Sequence, residues 1–361
     1  LAEFENRHPG KLEELAAARP RLQWLITIFS NSRFLSEELM RHPDWLHDIP
    51  DVYRVLTVFD YSERLKQFLA ARAESSTIAL DLAQFRRREL LRIVLRDSLN
   101  FASLSEVTEE LSNLADAILE GALTYVMGDL ERRFGKPELP PEYPSEGASG
   151  FCVIALGKLG GRELNYSSDI DLMFLYCAGG ETTGPEIISN REFFKKVANR
   201  LTELLSTYTA EGLCYRVDLR LRPEGSLGEV CMSLEGVTEY YRKRARDWEL
   251  QMLIKVRVAA GDRHLGRALL DSVESSIYST STDFSAIETM SATRERISEK
   301  LTAKKFGRGD LDVKLARGGI RDIEFLVQCL QRLHGGREVW VRHGGTLLGL
   351  SRLLDKDLLS S

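Results

Sequence analysis

The most constraining feature of the chain is Asp169-Ile170-Asp171, two carboxylates at the head of a short apolar run that continues to Tyr176. A run of that length between turn residues is expected to be a strand. Side chains two apart leave a strand on one face, with Cα atoms roughly 6.5–7 Å apart. Carboxylates so placed can converge on a hard cation, which takes oxygen ligands. A solvated strand edge carries the same residues, so the pair needs support from its surroundings.

Two neighbouring segments give it. Upstream, the apolar run Phe151 to Leu156 ends in Gly157-Lys158-Leu159-Gly160-Gly161. Glycine lets backbone amides approach an anion after a strand. The spacing fits neither the Walker A loop nor the dinucleotide fingerprint. Downstream, a third strand is expected over 214–221, followed by Pro223. Strict alternation puts Tyr215, Val217, Leu219 and Leu221 on one face, with Arg216, Asp218, Arg220 and Arg222 on the other. One acid among three arginines suits a phosphate site, with Asp218 on metal and guanidiniums on oxygens. It also suits an exposed face of weak ion pairs.

The remainder is expected to be helical. Ser103 and Glu106 have capping-box spacing before a stripe at Leu111, Leu114, Ala115, Ile118, Leu119, Ala122 and Val126. Leu82, Phe85, Leu90, Ile93 and Val94 form an earlier stripe, and one amphipathic helix is expected over 190–209. Four prolines between Gly135 and Gly150 mark a linker or domain edge. The expected organisation is a helical region at 1–134, a catalytic core at 135–235 and a helical domain at 236–361. The chain opens at Leu1 without Met, and Ser360-Ser361 follows a helical pattern abruptly, so a piece of a longer polypeptide is expected.

A net charge of −5 gives no general drive toward nucleic acid or an anionic membrane. No apolar run approaches the roughly 20 residues of a membrane span. Five scattered cysteines without a C-x-x-C pair argue against zinc and disulfides and suggest a reducing cytoplasm. The histidines show no ligand spacing. His42, His47, His264, His334 and His343 are expected at the surface or in caps. Trp248 is expected as a packing anchor rather than a nucleotide-stacking residue.

Strand, Gly-Gly turn, D-x-D strand, helix and a strand with a third Asp together resemble the nucleotidyltransferase superfamily that includes polymerase beta. The resemblance implies an α+β, mostly helical chain: a small mixed sheet in a polymerase-beta-like core, flanked by N- and C-terminal helical domains. It also implies two Mg²⁺ ions held by Asp169, Asp171 and Asp218, with phosphates at Gly160, Gly161 and Ser168. Arg220 and Arg222 are candidates for the attacking phosphate or developing charge, or for ordering the sheet by pairing with nearby acids. Paired metals serve in-line displacement at phosphorus by stabilising attacking and leaving oxygens.

The run from Gly157 to Leu172, the segment Val217 to Pro223, Arg246-Asp247-Trp248-Glu249 and the segment Gly318 to Phe325 resemble the bacterial glutamine synthetase adenylyltransferase family. Ser32 to Pro43 is similar to its N-terminal region. That family is bifunctional. One half attaches AMP to a tyrosine of glutamine synthetase, and the other removes it by phosphorolysis, releasing ADP. Glu163 to Ser168 and Gly319 to Asp322 resemble the N-terminal, adenylyl-removing half. The resemblance implies adenylylated glutamine synthetase, ADP or ATP, phosphate and the PII signalling protein as partners, with no nucleic acid and no membrane. Forward transfer from ATP and a catalytically silent regulatory module are the alternatives. The silent module has no physical need for three mutually repelling carboxylates.

Overall fold

The computed structural model describes residues 1–47, 49, 52–71, 76–144, 149–278, 313–314 and 318–359. The described chain is mostly helical with one small sheet, as the α+β expectation requires. It divides into two compact units, one of Leu1–Gly128, Glu163–Asp169 and Arg200–Val217, the other of Asp129–Arg162, Ile170–Asn199 and Asp218–Ser361.

In the first unit the helices are α1 (Ala2–Arg7), α2 (Lys11–Ala17), α3 (Arg19–Asn31), α4 (Arg33–Arg41), α5 (Val58–Ala70), α6 (Ile78–Ser98) and the greater part of α7 (Leu104–Phe134). Side chains stop and start them. Ser32 accepts from the Leu35 amide, and Thr57 and Asp60 close a capping box on α5. The Ser103–Glu106 box forms as its spacing predicts, the Ser103 amide donating to Glu106 at 2.7 Å. Both stripes turn inward: the α7 positions from Leu111 to Val126 are buried, as are Leu82, Phe85, Leu90 and Ile93. A second core joins Phe4, Leu25, Ile28 and Leu39 to Leu91 and Leu95 of α6. Between α5, α6 and α7 lies a buried charge cluster, where Glu110 accepts from Arg92, the Tyr61 hydroxyl and the Leu56 amide. Arg96 lies 3.2 Å from its second oxygen.

The second unit carries the sheet. Strands β1 (Phe151–Leu156) and β2 (Ile170–Tyr176) cover the ranges read from the sequence, and β3 (Val217–Asp218), β4 (Cys231–Ser233) and β5 (Arg257–Gly261) complete it. The order is β3-β2-β1-β5, with β4 pairing parallel to β2. β1 and β2 are antiparallel, and Leu156 stands opposite Asp171. Both faces are covered, which explains uninterrupted apolar strands. On one, Ile154, Leu156, Met173 and Leu175 pack with side chains of α10 (Leu234–Lys243) and α12 (Arg263–Ile277). On the other, Phe151 and Tyr176 stack on Phe194 of α9 (Asn190–Ser206) at centroid distances of 5.7 and 5.6 Å. The turn after β1 forms the four-residue α8 (Gly157–Gly160), and α11 (Asp247–Met252) precedes β5. Helices α13 (Ile320–His334) and α14 (Thr346–Asp355) share a small core of Val327, Val341 and Leu353.

Two expectations are corrected. The third strand is two residues long instead of spanning 214–221. After Asp218 the chain turns, because Asp218 Oδ1 accepts from the Arg220 amide at 2.8 Å and draws the backbone out of the ladder. Trp248 is 43% exposed and belongs to none of the buried core clusters among the described residues. The buried member of its motif is Glu249, which accepts from the Tyr240 hydroxyl at 2.5 Å and the Arg246 amide at 3.0 Å.

Candidate active site

The acidic edge of the sheet is shaped by one glycine. Gly157 has φ +54°, and a Cβ built on it would lie 2.3 Å from Asp171 Oδ2. A side chain there is disfavoured by the left-handed backbone and could fit only by pushing the Asp171 carboxylate aside. The β1–β2 register produces this contact: Asp171 opposes Leu156, so its carboxylate lies over the first residue of the turn. The next strand, β3, carries Asp218, whose side chain is 15% exposed. The Arg220 guanidinium grips it through Nε at 3.0 and 2.9 Å and Nη2 at 2.5 Å. That bonding holds the Asp218 carboxyl below its ordinary range, against the opposing effect of burial.

Asp169 stands one residue ahead of β2 and is bonded by Arg216, which also donates to the Ser167 carbonyl at 2.8 Å. Ser168 lies beside it, its amide turned to Asn165 at 3.2 Å. The glycines are used differently from one another. Gly160 is a close-approach position: a Cβ would fall 1.9 Å from the Lys255 carbonyl oxygen and 2.8 Å from that of Ala155. The Gly161 amide donates to Gly157 O at 3.0 Å. Arg220 points to Asp218, whereas Arg222 donates to the carbonyls of Leu219 (2.7 Å), Ser226 (3.3 Å), Gly228 (3.0 Å) and Glu229 (3.1 Å). Arg222 therefore ties the turn after β3, and burial lowers its pKa.

Lys255 escaped the reading of the sequence. It is 5% exposed, and its ammonium bonds Glu324 at 3.2 Å and Thr346 at 3.1 Å. Its backbone oxygen is the one that excludes a side chain from Gly160. Lys255 thus links the two, its carbonyl against Gly160 and its ammonium on Glu324 of the Gly318 to Phe325 motif. No signal marks Lys255 in sequence, since its partners lie far along the chain.

Asp171 and Asp218, with Asp169 two residues upstream, offer carboxylate oxygens, the ligand type a hard cation such as Mg²⁺ takes. Among the described residues, the acidic and histidine side chains with ligand atoms mutually within 4.8 Å are Glu38, His42 and Glu211, and the aspartates of β2 and β3 are not part of that group. Arg41 reaches Glu38 at 2.6 Å and Glu211 at 3.3 Å, and Arg87 bonds both as well. Two guanidiniums already supply the positive charge there, so this group is an ion network. Among the described residues no helix is long and apolar enough to cross a membrane.

A small mixed sheet with a Gly turn after its first strand and acids on the next two is the core of a nucleotidyltransferase. The glutamate-ammonia ligase adenylyltransferase family model matches residues 22–272, and the GlnD PII-uridylyltransferase model matches residues 291–361. The chain belongs to the glutamate-ammonia ligase adenylyltransferase family. Among its relatives, a bifunctional glutamine synthetase adenylyltransferase/adenylyl-removing enzyme from Thioalkalivibrio sulfidiphilus is 35% identical over 93% of this chain and 34% of its own length. A protein of the same name from Nitrosococcus oceani is 35% identical over 99% of this chain and 37% of its own. The chain spans about a third of the length of these curated relatives.

Proposed function

We propose that this chain removes AMP from an adenylylated tyrosine of glutamine synthetase by phosphorolysis. An oxygen of inorganic phosphate forms a bond to the AMP phosphorus, and the bond from phosphorus to the tyrosine oxygen breaks. The tyrosine oxygen leaves with the electron pair and takes up, through solvent, the proton that phosphate loses; the product is ADP. Asp169, Asp171 and Asp218 are the residues that would hold Mg²⁺, which when bound supplies positive charge to the phosphoryl oxygens. The observation that carries this reading is the Asp171 carboxylate held over Gly157, on the strand next to Asp218. The motifs Glu163 to Ser168 and Gly319 to Asp322 favour the removing direction.

In this reading Arg220 fixes Asp218, which would help to hold the metal, and its guanidinium is the candidate donor to a phosphate oxygen. Arg222 keeps the turn in shape. Ser168 and the Gly160–Gly161 turn contact phosphate. The PII signalling protein belongs to the same reading as a regulator. Forward transfer from ATP would use the same carboxylates, so the test separates direction first. Adenylylated glutamine synthetase with phosphate and Mg²⁺ should yield ADP, while unmodified glutamine synthetase with ATP should stay unlabelled. Asp171→Asn should abolish ADP release and leave the thermal melt in place. Undiminished release by that variant would end the assignment.

A further inference from the structure

The first unit holds a cavity of about 610 Å³. Volumes of 300–1,000 Å³ with apolar walls and a few placed polar groups are usual for small-molecule sites. Leu35, Leu90 and Val94 give the apolar wall. The polar groups fall at two ends of one α6 face. Arg86 stands at one, its guanidinium 4.4 Å from the Tyr215 ring centroid and donating to the Tyr166 carbonyl at 2.9 Å. Asp97, eleven residues and about 16 Å further along α6, stands at the other and accepts from the Tyr166 hydroxyl at 2.9 Å.

Two observations point to an occupant. The Nε of Arg86 is buried without a hydrogen-bond partner among the described residues. A buried donor left unmade is costly, so an acceptor brought by a ligand is the economical explanation. Ser168 and Arg216 also line the cavity, and Arg216 is the residue bonded to Asp169. The Arg86 end therefore belongs with the acid that opens the D-x-D motif.

We propose that this cavity takes the nucleoside half of the transferred nucleotide. The base lies against Leu90 and Val94 with its exocyclic amine donating to Asp97. The Arg86 Nε donates to a sugar or phosphate oxygen, and the phosphate points to Ser168 and Arg216. The inference rests on the nucleotidyl-transfer reading above. A tyrosyl side chain suits the cavity less well, because its esterified oxygen is its sole polar atom and it offers Asp97 no donor.

Adenosine tests it, since it carries no phosphate and needs no metal. Calorimetric titration of the full chain with adenosine should give saturable binding, at least tenfold tighter than inosine, which lacks the amine. Asp97→Asn should collapse that discrimination, since an amide can accept from the amine or donate to the inosine oxygen. Val94→Phe should weaken adenosine at least tenfold with the fold intact by circular dichroism, and Asp171→Asn should bind adenosine as the parent does. Equal binding of adenosine and inosine, or of adenosine to parent and Val94→Phe, would overturn the cavity assignment. If Asp171→Asn still abolished ADP release, nucleotidyl transfer would stand without it. Adenosine lost in Val94→Phe, with ADP release unchanged in Asp171→Asn, would do the reverse. Saturable binding of a tyrosine peptide that Val94→Phe abolishes and adenosine does not displace would give the cavity to the acceptor protein and end the proposal.

Discussion

The carboxylate of Asp171 lies over the Cα of Gly157, so close that a methyl group there would come within 2.3 Å of Oδ2. Gly157→Ala adds that methyl at a backbone position L-residues adopt at a cost of about 1–2 kcal/mol. A loss of stability of that order is expected, with metal-dependent turnover falling at least tenfold as Asp171 is pushed aside. Chemical denaturation and ADP release measure the two effects, and full activity in the variant would separate the glycine from the site.

Arg220 gives Asp218 a pH signature. Because the folded-state pKa is lowered, the stability from this pair is fully present above the ordinary carboxylate value of about 4 and is lost as pH falls through the lowered value. Arg220→Met should cost stability at pH 7 and little in acid, so the difference between variant and parent shrinks as pH falls through the carboxylate range; the exposed arginine side chain keeps that difference small. A difference that stayed constant with pH would show that Asp218 is held by other groups.

Glu110 is buried between two buried arginines. Glu110→Ala leaves both guanidiniums without their carboxylate, and breaking such a cluster costs about 3–5 kcal/mol. A large drop in the denaturation midpoint of the first unit is expected. Replacing Arg92, Arg96 and Glu110 together by apolar residues should cost less than Glu110→Ala alone, which a side-by-side urea series would show.

Lys255→Met removes the ammonium that joins Glu324 to Thr346. The expected loss is about 1–3 kcal/mol, as for hydrogen bonds to charged groups. Hydrogen exchange should localise it to the start of α13 and the Gly157–Gly161 turn. Exchange that rises elsewhere but not there would mean the lysine serves another contact.

The strands β1 and β2 were legible because a buried strand is a short apolar block, with Gly150 and Gly157 flanking the first and Asp169 just ahead of the second. The helical stripes were legible for the same local reason. β3 was not. Alternating arginines and Asp218 carry the period of a strand, but the Arg220 amide closes on Asp218 and ends it after two residues. Lys255 sits in an apolar run, where a lone lysine looks like a surface position until Glu324 is brought to it. The 610 Å³ cavity draws its wall from several separated segments, so no window of sequence contains its pattern.

Each compact unit is assembled from three stretches of chain, with boundaries at 128, 162, 169, 199 and 217. No single cleavage can release either one whole, and a gene truncated anywhere between those points codes for two damaged bodies. Grafting either unit therefore means moving every stretch that builds it, never one contiguous segment.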